Sequence, residues 1–382
     1  MKKKRVAVCA VSQRRNESDL WYERFQGMLL DLLEDLRKQA GFHFEEEGGV
    51  DMVVSCSDDI FDARTISDGG VTDVLGAHFR AEEKIAQEGL NAVAYGASVI
   101  LSGHADLVLV MGHCKESQGE SRNRITNLGF DPFYGRAVGL DFTNTCALQA
   151  RQYMTSSNVS DRDLAGVVAR ARRCGGNNPF ANARQPVEPG EVMASPMLCD
   201  PIRRLHAWPV SDGAVGMLLA SEERAGEFTD KPVWITGFSN CMDSYFLGDR
   251  NLVGNFALRK AAGRACARAG IANPAEAFDV VELTDPFAYQ QPLWLEGLGL
   301  CGEGRGGAFL REGGPGRLHV NPSGGMLCGN PMMIAGLYRA AESVLQLRGE
   351  AGERQVKGAS RALAHSSSGP AGQFQSVLIL EA

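Results

Sequence analysis

At 382 residues, 44% of them hydrophobic and 22% charged, the chain can bury a large core and hold roughly two to three structural units. Its 39 basic and 46 acidic residues are spread along the sequence and sum to -7, leaving no basic footprint for nucleic acid. No run approaches the ~20 apolar residues that span a bilayer, the apolar run 6–11 is too short for a signal-peptide core, and ten cysteines without CxxC spacing predict reduced, mostly buried thiols in a cytoplasmic protein with no metal site.

Residues 5–11 predict a buried strand, after which Trp21, Phe25, Met28, Leu29, Leu32 and Leu36 recur at helical spacing, so the chain opens as α/β. A second strand is expected over 50–56, ending in the polar loop 57–59. Residues 83–86 begin a third unit, which turns at Gln87, Glu88 and Gly89 into a helix over 90–101 whose small residues permit close packing. A strand at 106–111 follows, ending at Gly112, His113 and Cys114. From 115 to 199 the pattern loosens, with helices only at 147–153 and 161–172, as in an insertion that covers a site or an interface. Order returns with an apolar strand within 208–221, a strand at 233–238, a helix at 256–269 and a strand at 278–283 that ends in Thr284, Asp285, Pro286 and Phe287. A helix at 289–297 and a last strand at 376–380 complete the pattern.

Between these last two lies VNPSGGMLCGNPMMIAGLYRAAESVLQLRG, residues 320–349, a glycine-rich turn leading into a long helix. Backbone amides brought to the start of a buried helix can hold a developing negative charge, although the same residue types also make ordinary turns. Segments 83–111 and 319–349 each read strand, glycine-containing turn, small-residue helix, which suggests a duplicated half.

These residues resemble the thiolase superfamily, in particular its sterol-carrier-protein-type thiolases and thiolase-like aldolases. The resemblance is carried by NPSGG at 321–325, GNP at 329–331, PVSDGA at 209–214, EGLGLCGEG at 296–304 and SGHADLVLVMG at 102–112, in the family's order over nearly the whole chain. It implies an α/β fold, a thiolase-like five-layer αβαβα sandwich of two similar halves with an inserted loop domain. The expected division is 1–114 and 200–272 for the first half, 115–199 for the insertion and 273–382 for the second half. It also implies acyl-CoA as substrate, with no permanently bound cofactor, and a homodimer core.

The family's nucleophilic cysteine stands in a C-x-S-G turn at the start of the third helix, where the helix dipole favours a thiolate. Here Gly89 matches the turn glycine and Ala86 takes the nucleophile's place, so no thioester can form. The histidine of G-H-P matches Asn330, which can still donate a hydrogen bond to a thioester oxygen. The asparagine of N-E-A-F matches Thr284, and the second cysteine falls within HSSSGPAG, 365–372.

Three readings follow. In the first, the chain is an aldolase-type enzyme that makes or breaks a C–C bond beside a CoA thioester without a covalent intermediate; such thiolase-like aldolases pair with a small zinc-ribbon/OB-fold partner. Asn321, Ser323, Gly324 and Gly325 would then help seat the substrate. Its candidate bases are His365, which titrates nearest neutrality, then Asp285, Tyr289 and Tyr245. Each has a structural alternative as a bonded strand-end histidine, a helix cap or core tyrosines. In the second, Cys328, or Cys114 behind it, is a displaced nucleophile. In the third, the chain is a non-catalytic acyl-CoA-binding subunit. Arg122, Arg124, Arg136, Arg203 and Arg204 are candidate CoA contacts.

Overall fold

The computed structural model describes residues 4–64, 66–312, 318–329 and 331–382. Its strands are β1 (Val6–Gln13), β2 (Met52–Cys56), β3 (Ala81–Ile85), β4 (Leu107–Lys115), β5 (Met197–Cys199), β6 (Ile202–Arg203), β7 (Asp212–Ser221), β8 (Val233–Met242), β9 (Val280–Leu283), β10 (His319–Val320), β11 (Arg361–Ser368) and β12 (Phe374–Glu381). The helices are α1 (Phe25–Ala40), α2 (Asp68–Val71), α3 (Gly89–Ser102), α4 (Arg122–Asn127), α5 (Phe142–Ser157), α6 (Asp161–Gly176), α7 (Pro189–Ala194), α8 (Ala225–Phe228), α9 (Phe256–Arg268), α10 (Gln290–Gly297), α11 (Gly306–Glu312) and α12 (Ala335–Arg348).

Ten strands are hydrogen-bonded in the order β10-β9-β11-β12-β8-β1-β7-β4-β2-β3. Outward from the β1–β8 pair, 1-7-4-2-3 on one side matches 8-12-11-9-10 on the other. The strand directions match too: β2 is parallel to β3 and β4, as β9 is to β10 and β11, and β7 and β12 run antiparallel to their neighbours. The duplication expected from 83–111 and 319–349 is thus β3-α3-β4 repeated as β10-α12-β11. Strand order groups β8 and α9 with the second repeat, so the repeat boundary falls between β7 and β8, earlier than the expected break at 272/273.

The layering follows from which faces are apolar. Along β1, Val6 and Val8 enter one core while Ala7 and Cys9 enter another, as in a sheet covered on both faces. The outer cover of the first repeat is α1, whose Phe25, Met28, Leu29, Leu32, Leu33 and Leu36 form one buried stripe ending at the left-handed cap Gly41. Helices α3 and α12 form the middle layer: α3 touches β4 and β12, and α12 touches β11 and β7. A helix covered by the strands of both repeats is buried all round, so α12 encloses even Arg339, Glu342 and Gln346. The two helices meet at Gly89, where a Cβ would come within 2.7 Å of Leu337 Cγ. With α9 outside the second repeat, the stack has five layers.

The insertion is more helical than its composition suggests. It holds α4 to α7 and β5, whose hairpin partner β6 lies just past its expected end, and α5 and α6 extend beyond the expected 147–153 and 161–172. Asp141 and Ser160 begin these helices with capping boxes.

Candidate active site

Where β2 and β3 end and α3 begins, the fold leaves a cleft of about 450 Å³. Ile60 and Phe61 after β2, Ile125, Leu128 and Phe142 of the insertion, Met332 and Met333 ahead of α12, and Pro370 and Phe374 at the β11–β12 turn make its wall mostly apolar. Ala86 and Gln87 line it from the β3–α3 junction, and Asp58, Thr126 and Ser368 add polar groups. No cysteine lines it among the described residues.

Asp58 is the one ionisable side chain among the described lining residues. Burial pushes its carboxyl above the ordinary aspartate range, against a bond from Ile60 N at 3.3 Å. Lys84 is engaged beside it, with Nζ 2.5 Å from Asp59 Oδ1 and 2.8 Å from Ser67 Oγ. Burial raises Asp59, but the bonds from Lys84 and Ser67 outweigh it and hold this carboxyl at about 2. Adjacent carboxylates are thereby separated into one fixed anion and one of raised basicity. Behind Ala86, Glu88 Oε2 accepts from Leu90 N at 2.8 Å and Oε1 from Gly336 N at 2.5 Å, so this carboxylate joins the starts of α3 and α12.

The NPSGG segment is finished differently. Asn321, at φ 47°, receives Leu283 N on Oδ1 at 2.6 Å and donates from Nδ2 to Asp285 at 3.0 Å. Asp285 also accepts from Gln291 Nε2 at 2.7 Å and Met326 N at 2.9 Å, while burial pushes its carboxyl up to about 6. Ser323 Oγ donates to Glu282 at 2.7 Å, and Arg339 Nη1 reaches both. Gly324 and Gly325 have φ of 93° and 65°, and a Cβ on Gly325 would lie 2.3 Å from Asn321 Nδ2. Among the described residues, none of these groups lines the cleft.

The other expected site residues are dispersed. His365 lies on the strand face opposite Ser366 and Ser368, against Trp294, with Nε2 2.7 Å from Gln375 Oε1; burial lowers it to about 4. Tyr289 donates to Gln149 at 2.7 Å in the core, and burial pushes its hydroxyl well above the ordinary range. Tyr245 is 57% exposed and donates to the carbonyl of Gly129, a lining residue, at 3.1 Å. Thr284 is buried, its N–H bonded to His365 O. Asn330 lies outside the described residues. Cys328 Sγ points to Ala171 O at 3.0 Å, and burial pushes its thiol up to about 12; Cys114 is likewise raised well above its ordinary value. Arg122 stacks on Trp208 and pairs with Glu116, Arg124 pairs with Glu120, Arg136 with the Phe130 carbonyl and Arg203 with Asp161, while Arg204 is exposed.

Sequence reasoning gave no role to Asp58, Gln87, Thr126 or Ser368. The one available signal was the polar loop 57–59 at the C-terminal end of a strand, where α/β sheets commonly bind ligands.

Two repeats stacked about α3 and α12, with a cleft where these helices begin, define a protein of the thiolase fold. Two solved structures share it: an Ltp2-ChsH2(DUF35) aldolase, with a TM-score of 0.84 and 21% identity over 99% of this chain and 98% of that one, and a monomeric SCP2-thiolase like protein type 1 from Mycobacterium smegmatis, with a TM-score of 0.70 and 17% identity over 98% of this chain and 76% of that one. Residues 240–382 match the family described as thiolase C-terminal domain-like. An acetyl-CoA acetyltransferase of Methanothermobacter thermautotrophicus is 30% identical over 96% of this chain and 97% of its own length. Human sterol carrier protein 2 is 31% identical over 73% of this chain, which spans about half (54%) of that protein's length. The benzoylsuccinyl-CoA thiolase subunit BbsB of Thauera aromatica is 31% identical over 60% of this chain and 61% of its own. The chain belongs to the thiolase superfamily.

Proposed function

We propose that the protein acts on an acyl-CoA and makes or breaks a C–C bond next to the thioester in an aldolase-type reaction, without a covalent acyl-enzyme. The observation that carries this reading is Ala86: the cleft holds alanine where the family has its nucleophile, and no thiol among the described lining residues replaces it. Cys328 and Cys114 are poor substitutes, because burial keeps both thiols protonated.

In the cleavage direction, the ionised Asp58 carboxylate accepts the proton of a β-hydroxyl. The Cα–Cβ bond then breaks, a carbonyl compound leaves, and the electron pair passes to the thioester enolate, which regains a proton at Cα from Asp58. An enolate needs donors at its oxygen, and Asn330 is the expected one. Tyr245, bonded at the rim residue Gly129, is a second proton-handling candidate. The apolar wall suits a lipid-like or aromatic acyl group. Coenzyme A enters as substrate, and no permanently bound cofactor is invoked.

A homodimer would use β3, the last strand of the sheet, whose outer edge has no strand beside it among the described residues; Phe79, 96% exposed, precedes it. Exposed Phe133, Tyr134 and Val138 on the insertion suit a second, small partner of the zinc-ribbon/OB-fold kind. The cysteines, none of them disulfide-bonded, fit a reducing cytoplasm.

The test incubates the purified protein with β-hydroxyacyl-CoA and β-ketoacyl-CoA compounds, alone and with any co-purifying partner, and reads products by mass spectrometry. A shortened acyl-CoA plus an aldehyde or ketone is expected. An acyl adduct on the protein would overturn the non-covalent mechanism, and cleavage of no compound would leave the acyl-CoA-binding subunit.

A further inference from the structure

The starts of α3 and α12, one helix from each repeat, meet beside the cleft, and a single carboxylate occupies their junction. Glu88 is 3% exposed; it caps α3 through Leu90 N and accepts Gly336 N of α12, and burial outweighs these bonds to push its carboxyl up to about 7. A Cβ on Gly336 would lie 2.3 Å from Glu88 Oε2 and 2.8 Å from Ser366 Cβ, so the carboxylate is enclosed by α3, α12 and β11. Helix N-terminal amides favour negative charge, and they are where an anionic nucleophile at position 86 would draw support. Here the chain fills that place itself.

We propose that the Glu88 carboxyl takes these amides in place of a nucleophile's charge, fixes the two repeat helices to each other, and thereby commits the cleft beside Ala86 to chemistry without an acyl-enzyme. Glu88 is a positioning residue, because it does not line the cleft. The charged or titratable groups that act on it are Arg339 of α12, which also bonds Glu282 and Ser323, and Cys56 of β2, whose thiol Glu88 helps to raise. Two positions, 86 and 88, therefore differ together from what a thiolate needs.

The experiment restores a thiol and varies the neighbouring charge. Ala86→Cys alone, and combined with Glu88→Ser, Glu88→Gln or Glu88→Asp, is compared by iodoacetamide alkylation rate and by the pH titration of thiolate absorbance, with circular dichroism as the folding check. Measured above about pH 7, where Glu88 is ionised, the introduced thiol should react no faster than free cysteine while Glu88 is intact. Removing the charge with Ser or Gln should speed it by about tenfold or more, since each unit of thiol pKa changes the thiolate fraction about tenfold. Glu88→Asp, which keeps the charge, should leave it slow, an outcome that a purely structural role would not give. A fast thiol in A86C, or no acceleration by Ser and Gln, would overturn the proposal. If neither charge-removing variant folds, A86C measured against free cysteine decides it in the same sense. Resting on the non-covalent reading of the cleft, this role fails separately from it: a fast A86C thiol refutes Glu88 even where cleavage products form, and a slow thiol with no cleavage of any compound refutes the reaction and leaves Glu88 standing.

Discussion

The β2-β3-α3 end of the first repeat and the β9-β10-α12 end of the second hold equivalent places in the strand order, yet they are finished in opposite ways. In the second repeat Asp285 is bonded by Gln291, Asn321 and Met326 N, and Gly325 presses against the same carboxylate. In the first repeat Asp58 stands half-buried at the side of an apolar cleft, with its neighbour Asp59 holding the local cation. A carboxylate saturated by donors loses those bonds when it takes a proton. Burial raises the basicity of both, but Asp58 lines the cleft, where a substrate's proton can reach it, and Asp285 does not. Duplication thus leaves one strand end as a joint and the other as a place for chemistry.

Asp58→Asn tests that difference most strongly. Removing a general base costs about 10²–10⁴-fold in rate, and the urea midpoint should stay near wild type. In the parent protein kcat/KM should fall as pH drops through Asp58's raised value, because only the ionised form accepts a proton. That limb should lie above the ~3.9 of an ordinary aspartate and vanish in D58N; an unchanged profile would erase the contrast between the two ends. Gly325→Ala tests the joint. Its Cβ would meet Asn321 Nδ2 at 2.3 Å in a left-handed backbone, so unfolding free energy should drop by about 2–4 kcal/mol. Asp285→Asn, which turns an amide group toward donors, should cost about 1–3 kcal/mol in the same urea titration. A G325A protein of full stability would mean that the NPSGG loop is not the rigid element its bonding indicates.

The layered α/β architecture and its repeat were legible because a continuous apolar run survives in β1 and helical patterns in α1, α3 and α12, where burial covers most apolar positions. Strand β11 was not: its second half, His365 to Ser368, reads as turn chemistry and becomes strand only through pairing with β9 and β12. The same ladder decides which way His365 faces, a one-residue matter of alternation that sequence leaves open. Ala86 was found through the family's motif order. Asp58 was not, because one acidic residue in a polar loop gains significance only when the insertion supplies Ile125, Leu128 and Phe142 to desolvate it. Conversely NPSGG and Cys328 draw attention through their composition, while their partners, Asp285, Glu282 and Ala171, come from distant segments.

His365 provides the smallest effect and the finest discrimination between the two ends. Burial lowers it to about 4, against about 6.5 in an unfolded chain. Between those values the unfolded state binds the proton and the folded state does not, so its contribution to stability is complete above the unfolded value and is lost as pH falls toward the folded one. His206, at about 4, and His113, at about 3, act in the same direction, while the raised carboxyls of Asp62, Glu88, Glu282 and Asp285 act in the opposite one. His365→Gln should therefore raise the urea midpoint at pH ~4 relative to that at pH ~6.5, compared with the same difference in the parent. Facing Trp294 and Gln375 and not the cleft, His365 should leave kcat within about twofold of the parent, as for residues outside the chemistry. If H365Q instead removed cleavage with the fold intact, the base would lie in the second repeat, and the division between joint and reactive end would be reversed.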